Sequence, residues 1–265
     1  MQLYHHPYSM DSQKVRLALE ECGIDYTSYH VNPITGKNMD ASFFRMNPSA
    51  TLPVFQNGSQ VIYRAMDIIL YIDRLIVSLE CKDSSITTEV MDWMLKIEEW
   101  DPKIFTLSHV PNKYRLFVSK FVRRVVIARM SEAPDLASVY HMKLRDAYEI
   151  EDKLKDQDII DQSEEKLVKL LDDAEMQLHE TQYLAGREFT FADSMFVPVL
   201  VRITLLNLEK EYIDCRPQIK EYYQLVKRRS SYKKVIGKHF SGWRKYRILV
   251  KTVCFLCIRS LFRMY

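Results

Sequence analysis

Asn47-Pro48-Ser49-Ala50-Thr51-Leu52-Pro53-Val54 is the stretch that decides what this chain folds into. Pro53 stands between apolar residues of strand character, yet it has no amide hydrogen to give a ladder. It therefore marks a sheet edge, a bulge or a cis turn. Residues 52–55 read as a strand, Asn57-Gly58 as a tight hairpin turn and residues 60–63 as the returning strand. Eleven residues beyond Pro53 the chain reads Arg64-Ala65.

Working outward, residues 1–5 form a short apolar strand. Val15, Leu17, Ala18 and Leu19 give helical spacing over 11–22, and Gly23 stands where such a helix stops. Strand character returns over 26–31, a short helix is expected over 38–44, and Ile68, Ile69, Tyr71 and Ile72 begin a helix running to about 79. The order is βαβαββα. The polar, turn-like segment 81–88 is the expected boundary, which puts one domain at 1–80 and a second at 88–240.

The second domain reads as helices over 89–97 and onward, 114–130, 136–156, 163–179, 192–208 and 217–228, broken at Asp101-Pro102, Pro111-Asn112, Ala133-Pro134-Asp135 and Gly186. In Thr190-Phe191-Ala192-Asp193 the threonine caps a helix and the aspartate, three residues on, reaches back to the cap amide. Met195, Phe196, Val197, Val199, Leu200, Val201, Ile203 and Leu205 follow, so that helix should be buried. The role of Asp193 is folding rather than chemistry.

A chain of 265 residues with 47% hydrophobic and 28% charged residues can bury a real core. Residues 1–5 look like a strand and not a secretory signal, and five unevenly spaced cysteines suit a reducing, cytoplasmic setting. The net charge of +3 hides an asymmetry: residues 227–265 hold 12 Lys or Arg and no acid, while residues 1–226 hold 26 basic against 35 acidic residues. The tail 241–265 is too interrupted by charge to span a bilayer. An interfacial helix fits it, with Trp243, Phe255 and Phe262 in the headgroups and the cations on anionic lipid at the cytoplasmic face. A helix docked on the protein's own core is the alternative. Cys254-x-x-Cys257 lacks the strand a redox pair would follow, and no motif reads or stacks a nucleic-acid base, so nucleic acid is not an expected partner.

Three segments occur in an order and spacing that resemble the cytosolic glutathione transferase family, more narrowly its plant branch that looks like tetrachlorohydroquinone dehalogenase. They are Tyr8-Ser9-Met10-Asp11-Ser12-Gln13-Lys14-Val15-Arg16-Leu17-Ala18-Leu19, Asn47 to Val54, and Gly186-Arg187-Glu188-Phe189-Thr190-Phe191-Ala192-Asp193. The resemblance covers residues 1 to about 230. It implies an α/β thioredoxin-like N-terminal domain followed by an all-α domain, with a cleft between them.

It also implies that Ser9 donates a hydrogen bond to the glutathione sulfur. A free thiol titrates near 8.5, and a hydroxyl donor at the positive end of a helix favours the thiolate. The thiolate then attacks an electrophilic carbon or displaces halide from an activated ring. The alternative is that Ser9 or Ser12 simply caps the helix. Lys14 and Arg16 are expected on its solvated face.

By the same resemblance Pro53 is cis, and Leu52, Pro53 and Val54 present backbone to the cysteinyl unit of glutathione, as in strand addition. Lys37 and Gln60 are candidates for the glycyl carboxylate. Arg64-Ala65 departs from the family, where an acidic residue and a hydroxyl residue commonly hold the γ-glutamyl group. Arg64 reverses the charge, Ala65 removes a donor, and Asp67 could neutralise Arg64 in place of a ligand. Phe105, Tyr114, Phe117 and Phe121 could line an electrophile pocket or belong to the core. Two functions stand: a glutathione transferase or reductive dehalogenase, and a non-catalytic, membrane-attached binding or scaffold module. No metal is implied, and the resemblance allows a homodimer.

Overall fold

The computed structural model describes residues 1–80 and 83–240. Four strands, β1 (Gln2–His5), β2 (Thr27–His30), β3 (Val54–Asn57) and β4 (Gln60–Ile62), form one sheet in the order β2-β1-β3-β4. The first pair is parallel and the other two are antiparallel. Helix α1 (Met10–Glu21) makes the crossover that a parallel pair requires, and α2 (Ala41–Met46) and α3 (Ala65–Glu80) complete the βαβαββα unit. Strand β3 begins at Val54 and leaves Pro53 in the turn before it, because only from Val54 on can every residue donate to the ladder. The short helix near 38 divides into a 3-10 turn, Lys37–Met39, and α2.

Residues 83–240 are helical: α4 (Thr88–Glu98), α5 (Pro102–Ser108), α6 (Asn112–Glu132), α7 (Ala137–Lys153), α8 (Gln157–Glu180), α9 (Phe191–Leu205), α10 (Glu209–Tyr212) and α11 (Pro217–Arg228). Then come α12 (Ser230–Tyr232), a π-helical turn (Lys233–Gly237) and α13 (Lys238–Phe240). Asp101-Pro102 starts a helix as well as stopping one: the Asp101 carboxylate accepts from Lys103 N at 2.8 Å and the proline takes the first helical position. Helix α8 starts six residues before the apolar spacing does, because Asp156 caps it through Asp158 N at 3.1 Å. Helix α9 ends at Leu205, three residues early, and Asn207 turns the chain with a left-handed φ of 59°.

One core joins both halves. Val15, Leu17, Ala18 and Leu19 of α1 pack with Ile68, Ile69 and Ile72 of α3 and with Ala192, Met195, Phe196 and Val199 of α9. Helix α9 is buried on every side, as its unbroken apolar run requires. Asp193 closes the expected cap, accepting from Thr190 N at 2.8 Å, and also accepts from Leu184 N at 3.1 Å and the Tyr222 hydroxyl at 2.9 Å.

Lys14 and Arg16 do not lie on a solvated face; they are 3% and 8% exposed. Lys14 Nζ pairs with Asp11 at 2.9 Å and Glu98 of α4 at 3.3 Å. Arg16 donates to the Tyr26 hydroxyl at 3.1 Å and the Val235 carbonyl at 3.3 Å. Docking of the helical domain on α1 supplies one partner to each, Glu98 to Lys14 and Val235 to Arg16.

The α6–α7 hairpin packs on the loop between β2 and β3. Tyr140 donates to the Met39 carbonyl at 2.8 Å, and Arg129 pairs with Asp40 at 2.7 Å. Gly36, with φ of 78°, faces Val125, whose Cγ1 would stand 2.7 Å from an added Cβ. Phe121 is buried in this seam and Phe105 in the main core, while Tyr114 is exposed. The Phe117 side chain, the tail 241–265 with Cys254 and Cys257, and Cys81 lie outside the described residues. Among the described residues, no helix is long and apolar enough to cross a membrane.

Candidate active site

Strand β1 ends at His5, and the chain makes one tight turn before α1 begins. Ser9 N donates to the His6 carbonyl at 3.0 Å and closes that turn. The Pro7 carbonyl accepts from Gln13 Nε2 at 2.7 Å, and the Tyr8 carbonyl accepts from Arg202 Nη2 at 2.9 Å. Ser12 Oγ accepts from His6 N at 3.4 Å. The turn is thus fixed on all sides.

Ser9 is the residue this turn presents. It is the N-cap of α1, with Oγ accepting from Ser12 N at 3.3 Å, and it lies 3.3 Å from the Leu52 carbonyl, to which its hydroxyl donates. Capping uses a lone pair and leaves the hydroxyl hydrogen free to rotate. Ser9 therefore caps the helix and keeps a donor for an anion at the helix's positive end.

Leu52-Pro53 is the cis peptide bond of the chain's described part. Val54 follows, paired on one side with Tyr4 of β1. On the other side β4 ends at Ile62, opposite Phe55, so no β4 residue faces Val54. That open flank, next to Ser9, can take an extended peptide backbone. Asn47 holds the approach to it through Thr51 O at 2.9 Å, and Asn38 does so through Ala50 O at 2.8 Å.

Ser9, Leu52, Pro53 and Val54 are therefore brought together. Arg64 and Ala65 follow β4 just beyond Ile62, whose partner Phe55 is the residue next to Val54. Ala65 is buried as the first residue of α3, whereas Arg64 is 67% exposed in its side chain with Nε 3.8 Å from Asp67 Oδ2. Asp67 forms a loose, solvent-exposed ion pair with Arg64, as its spacing suggests. Lys37 is exposed beside Asn38, on the loop leading to Pro53. Gln60 is not brought to this place: it pairs with Asn57 at the hairpin end of β3, three residues or about 10 Å from Val54.

Burial shapes the surrounding charges. His5 is pushed down to about 3 by desolvation and then by Arg16, and His6 to about 4 by desolvation, with His30 and His239 reinforcing both, so they are neutral near pH 7. Burial raises the Tyr8 phenol above its ordinary value. A cavity of about 700 Å³ lies elsewhere, between α8 and α10, lined by Glu164, Asp172, Glu211 and Arg216.

Residues 8–75 match the family described as glutathione S-transferase, N-terminal domain, and residues 135–230 match glutathione S-transferase, C-terminal domain. The chain belongs to the glutathione S-transferase family. Glutathione S-transferase TCHQD of Arabidopsis thaliana is 61% identical over 266 residues, covering 100% of both chains. Tetrachloro-P-hydroquinone reductive dehalogenase of Sphingobium chlorophenolicum is 29% identical over 233 residues, with 87% of this chain and 93% of the other covered. The crystal structure of glutathione transferase F2 from Populus trichocarpa shares the fold, with a TM-score of 0.63 at 22% identity over 91% of this chain and 99% of that one. The chain is thus of the TCHQD-like class of glutathione S-transferases.

In this transferase two features escape sequence reasoning. Arg202 reaches the Tyr8 carbonyl from α9, 194 residues away. His30 and His239 bring β2 and α13 together, with ring centroids 6.3 Å apart. Neither has a local signal, since both depend on how the helical domain docks.

Proposed function

We propose that this protein conjugates the glutathione thiolate to an electrophilic or halogenated substrate, with Ser9 stabilising the thiolate. The observation that carries it is the Ser9 hydroxyl, 3.3 Å from the Leu52 carbonyl and beside the open flank of Val54. Glutathione laid along Val54 puts its cysteinyl sulfur within reach of the serine. The hydroxyl then exchanges the Leu52 carbonyl for the sulfur, an anionic acceptor, which makes the stronger bond. The thiol gives its proton to solvent, the thiolate forms a C–S bond with the electrophilic carbon, and on a halogenated ring halide leaves with its bonding pair. Lys37 faces the glycyl end; Arg64 and Ala65 stand where the γ-glutamyl group ends. The Sphingobium relative, named a reductive dehalogenase of a chlorinated hydroquinone, supports halogenated rings as a substrate class.

Calorimetric titration with glutathione tests this, alongside the conjugation rate with a chloro-dinitrobenzene. Saturable binding with a rate lost in Ser9→Ala supports the enzyme. No saturation up to about 10 mM would refute it.

The exposed Arg64, placed where a ligand ammonium would come, favours a second reading: a binding or scaffold module with weakened affinity for glutathione. In that case the titration is weak and the rate is insensitive to Ser9. Attachment of the basic tail to an anionic membrane surface, in a cytoplasmic setting, belongs to either reading. Flotation with anionic liposomes, with and without residues 241–265, tests it. Sedimentation tests whether two copies pair.

A further inference from the structure

The turn that presents Ser9 has three carbonyls, and each has a donor. His6 O takes Ser9 N at 3.0 Å, Pro7 O takes Gln13 Nε2 at 2.7 Å, and Tyr8 O takes Arg202 Nη2 at 2.9 Å. Two of these donors come from the turn itself or from α1. The third is charged and comes from α9, in the other domain. The Tyr8 carbonyl and the Ser9 amide are opposite ends of one planar peptide unit. Arg202 holds one end of it and His6 O the other, so the plane from which the Ser9 side chain springs cannot rotate.

We propose that Arg202 is a positioning residue for the transferase reaction: it clamps the Tyr8–Ser9 peptide from the helical domain and places a half-buried positive charge behind the site of the thiolate. It rests on glutathione binding at Ser9.

Among the described residues, no carboxylate forms an ion pair with Arg202; the acidic group acting on it is Asp11, itself paired with Lys14 at 2.9 Å. Desolvation pulls the guanidinium below its ordinary value, and Asp11 offsets part of that. It stays charged at neutral pH all the same. A half-buried cation whose hydrogen-bond partner is a neutral carbonyl keeps part of its field for an anion arriving nearby. Because the bond crosses the domain boundary, the docking of α9 on α1 sets the height and tilt of the catalytic serine. That gives the seam between the domains a part in the chemistry.

The test compares Arg202→Lys, Arg202→Gln and Arg202→Met with the unaltered protein and Ser9→Ala. Three quantities are read: ultraviolet titration of the bound glutathione thiolate, the pH profile of kcat/KM with a chloro-dinitrobenzene, and calorimetric affinity for S-methyl glutathione, which has no thiol to ionise. Arg202→Gln and Arg202→Met should raise the thiol pKa by about one pH unit and lower kcat/KM about tenfold below it. Affinity for S-methyl glutathione should change less than about twofold. Arg202→Lys keeps the charge and should keep most of the thiolate; it also serves if the neutral variants do not fold. If the Arg202 variants titrate like the unaltered protein while Ser9→Ala does not, Arg202 has no such role and the transferase reading stands. If Arg202→Lys loses the thiolate as fully as Arg202→Met, the charge is not what acts. If Ser9→Ala leaves the thiolate and the rate intact, both readings fall.

Discussion

The Phe240 ring meets the Tyr8 ring edge-on, with centroids 4.7 Å apart, so the last described helix closes one flank of the turn that carries Ser9. Tyr8 is held through its carbonyl by Arg202 and through its ring by Phe240. Phe240→Ala should cost about 1 kcal/mol, lowering Tm by about 2–4 °C, because an edge-to-face pair on a partly exposed ring is lost. It should also raise KM for glutathione a few-fold as the turn loosens. Thermal melts and saturation kinetics on the Phe240→Ala variant check this.

Ser9 both caps α1 and offers a hydroxyl hydrogen, and these two roles separate by substitution. Ser9→Ala removes both and should cost about 1 kcal/mol of stability with a 10- to 100-fold fall in kcat/KM. Ser9→Asp keeps a good cap but places an anion against the thiolate. Its stability should return to that of the unaltered protein while its activity stays lost. Recovery of activity in Ser9→Asp would mean that capping was the whole role.

Arg64 at the rim repels an incoming ammonium, and Ala65 gives no hydroxyl to a carboxylate. The double change Arg64→Asp with Ala65→Ser should tighten glutathione about tenfold, as one charge-assisted bond and one neutral bond at an exposed site imply. The gain should shrink as salt is added, since the charge is solvated. Calorimetry at low and high salt measures both effects. An unchanged affinity would mean that the γ-glutamyl group does not reach this rim.

What could be read from the chain and what could not divide along a physical line. The element order βαβαββα, the turn at Pro53 and the Thr190–Asp193 cap all come from patterns a few residues long, and each is found in place. Lys14 and Arg16 read as solvated because a charged residue at a helical position has that default; their partners Glu98 and Val235 lie 84 and 219 residues away. Gln60 is a candidate for the glycyl carboxylate in the sequence, but a hairpin places it at the far end of β3. At the site, Ser9 and Val54 are visible as motifs, whereas Arg202 and Phe240 become neighbours of Tyr8 only when the second domain docks.

Asp193 holds more than a cap is expected to hold. Besides Thr190 N it accepts from the Thr190 hydroxyl, from Leu184 N and from the buried Tyr222 hydroxyl. Burial raises its carboxyl above the usual range, against the pull of those four donors. Asp193→Ala takes the acceptor from two buried donors, Leu184 N and the Tyr222 hydroxyl, and from the half-buried amide and hydroxyl of Thr190, and should cost about 3–5 kcal/mol, well beyond the about 1 kcal/mol of an exposed cap. Tyr222→Phe removes one partner and should cost about 1–2 kcal/mol. Urea unfolding of both variants tests the difference; equal and small costs would reduce Asp193 to an ordinary cap.

The histidines at the seam between β1, β2 and α13 set an acid limit on the fold. His5 and His30 lie 4.6 Å apart by ring centroids, and the charges acting on the cluster are its own members together with Arg16 and Lys238, all positive when protonated. His6 and His239 are lowered to about 4 from 6.5, by burial first. Above 6.5 both folded and unfolded chains hold these rings neutral, so the cluster gives no slope there. Below 6.5 the unfolded chain takes up protons that the folded one refuses, and stability falls as pH drops toward 4. His6 alone should cost about 2 kcal/mol at pH 5. Urea unfolding at pH 7 and pH 5 should show that loss, and His6→Gln should remove most of its share because a neutral side chain has no proton to refuse. If His6→Gln leaves the slope between these two pH values unchanged, the cluster is not the acid-sensitive element.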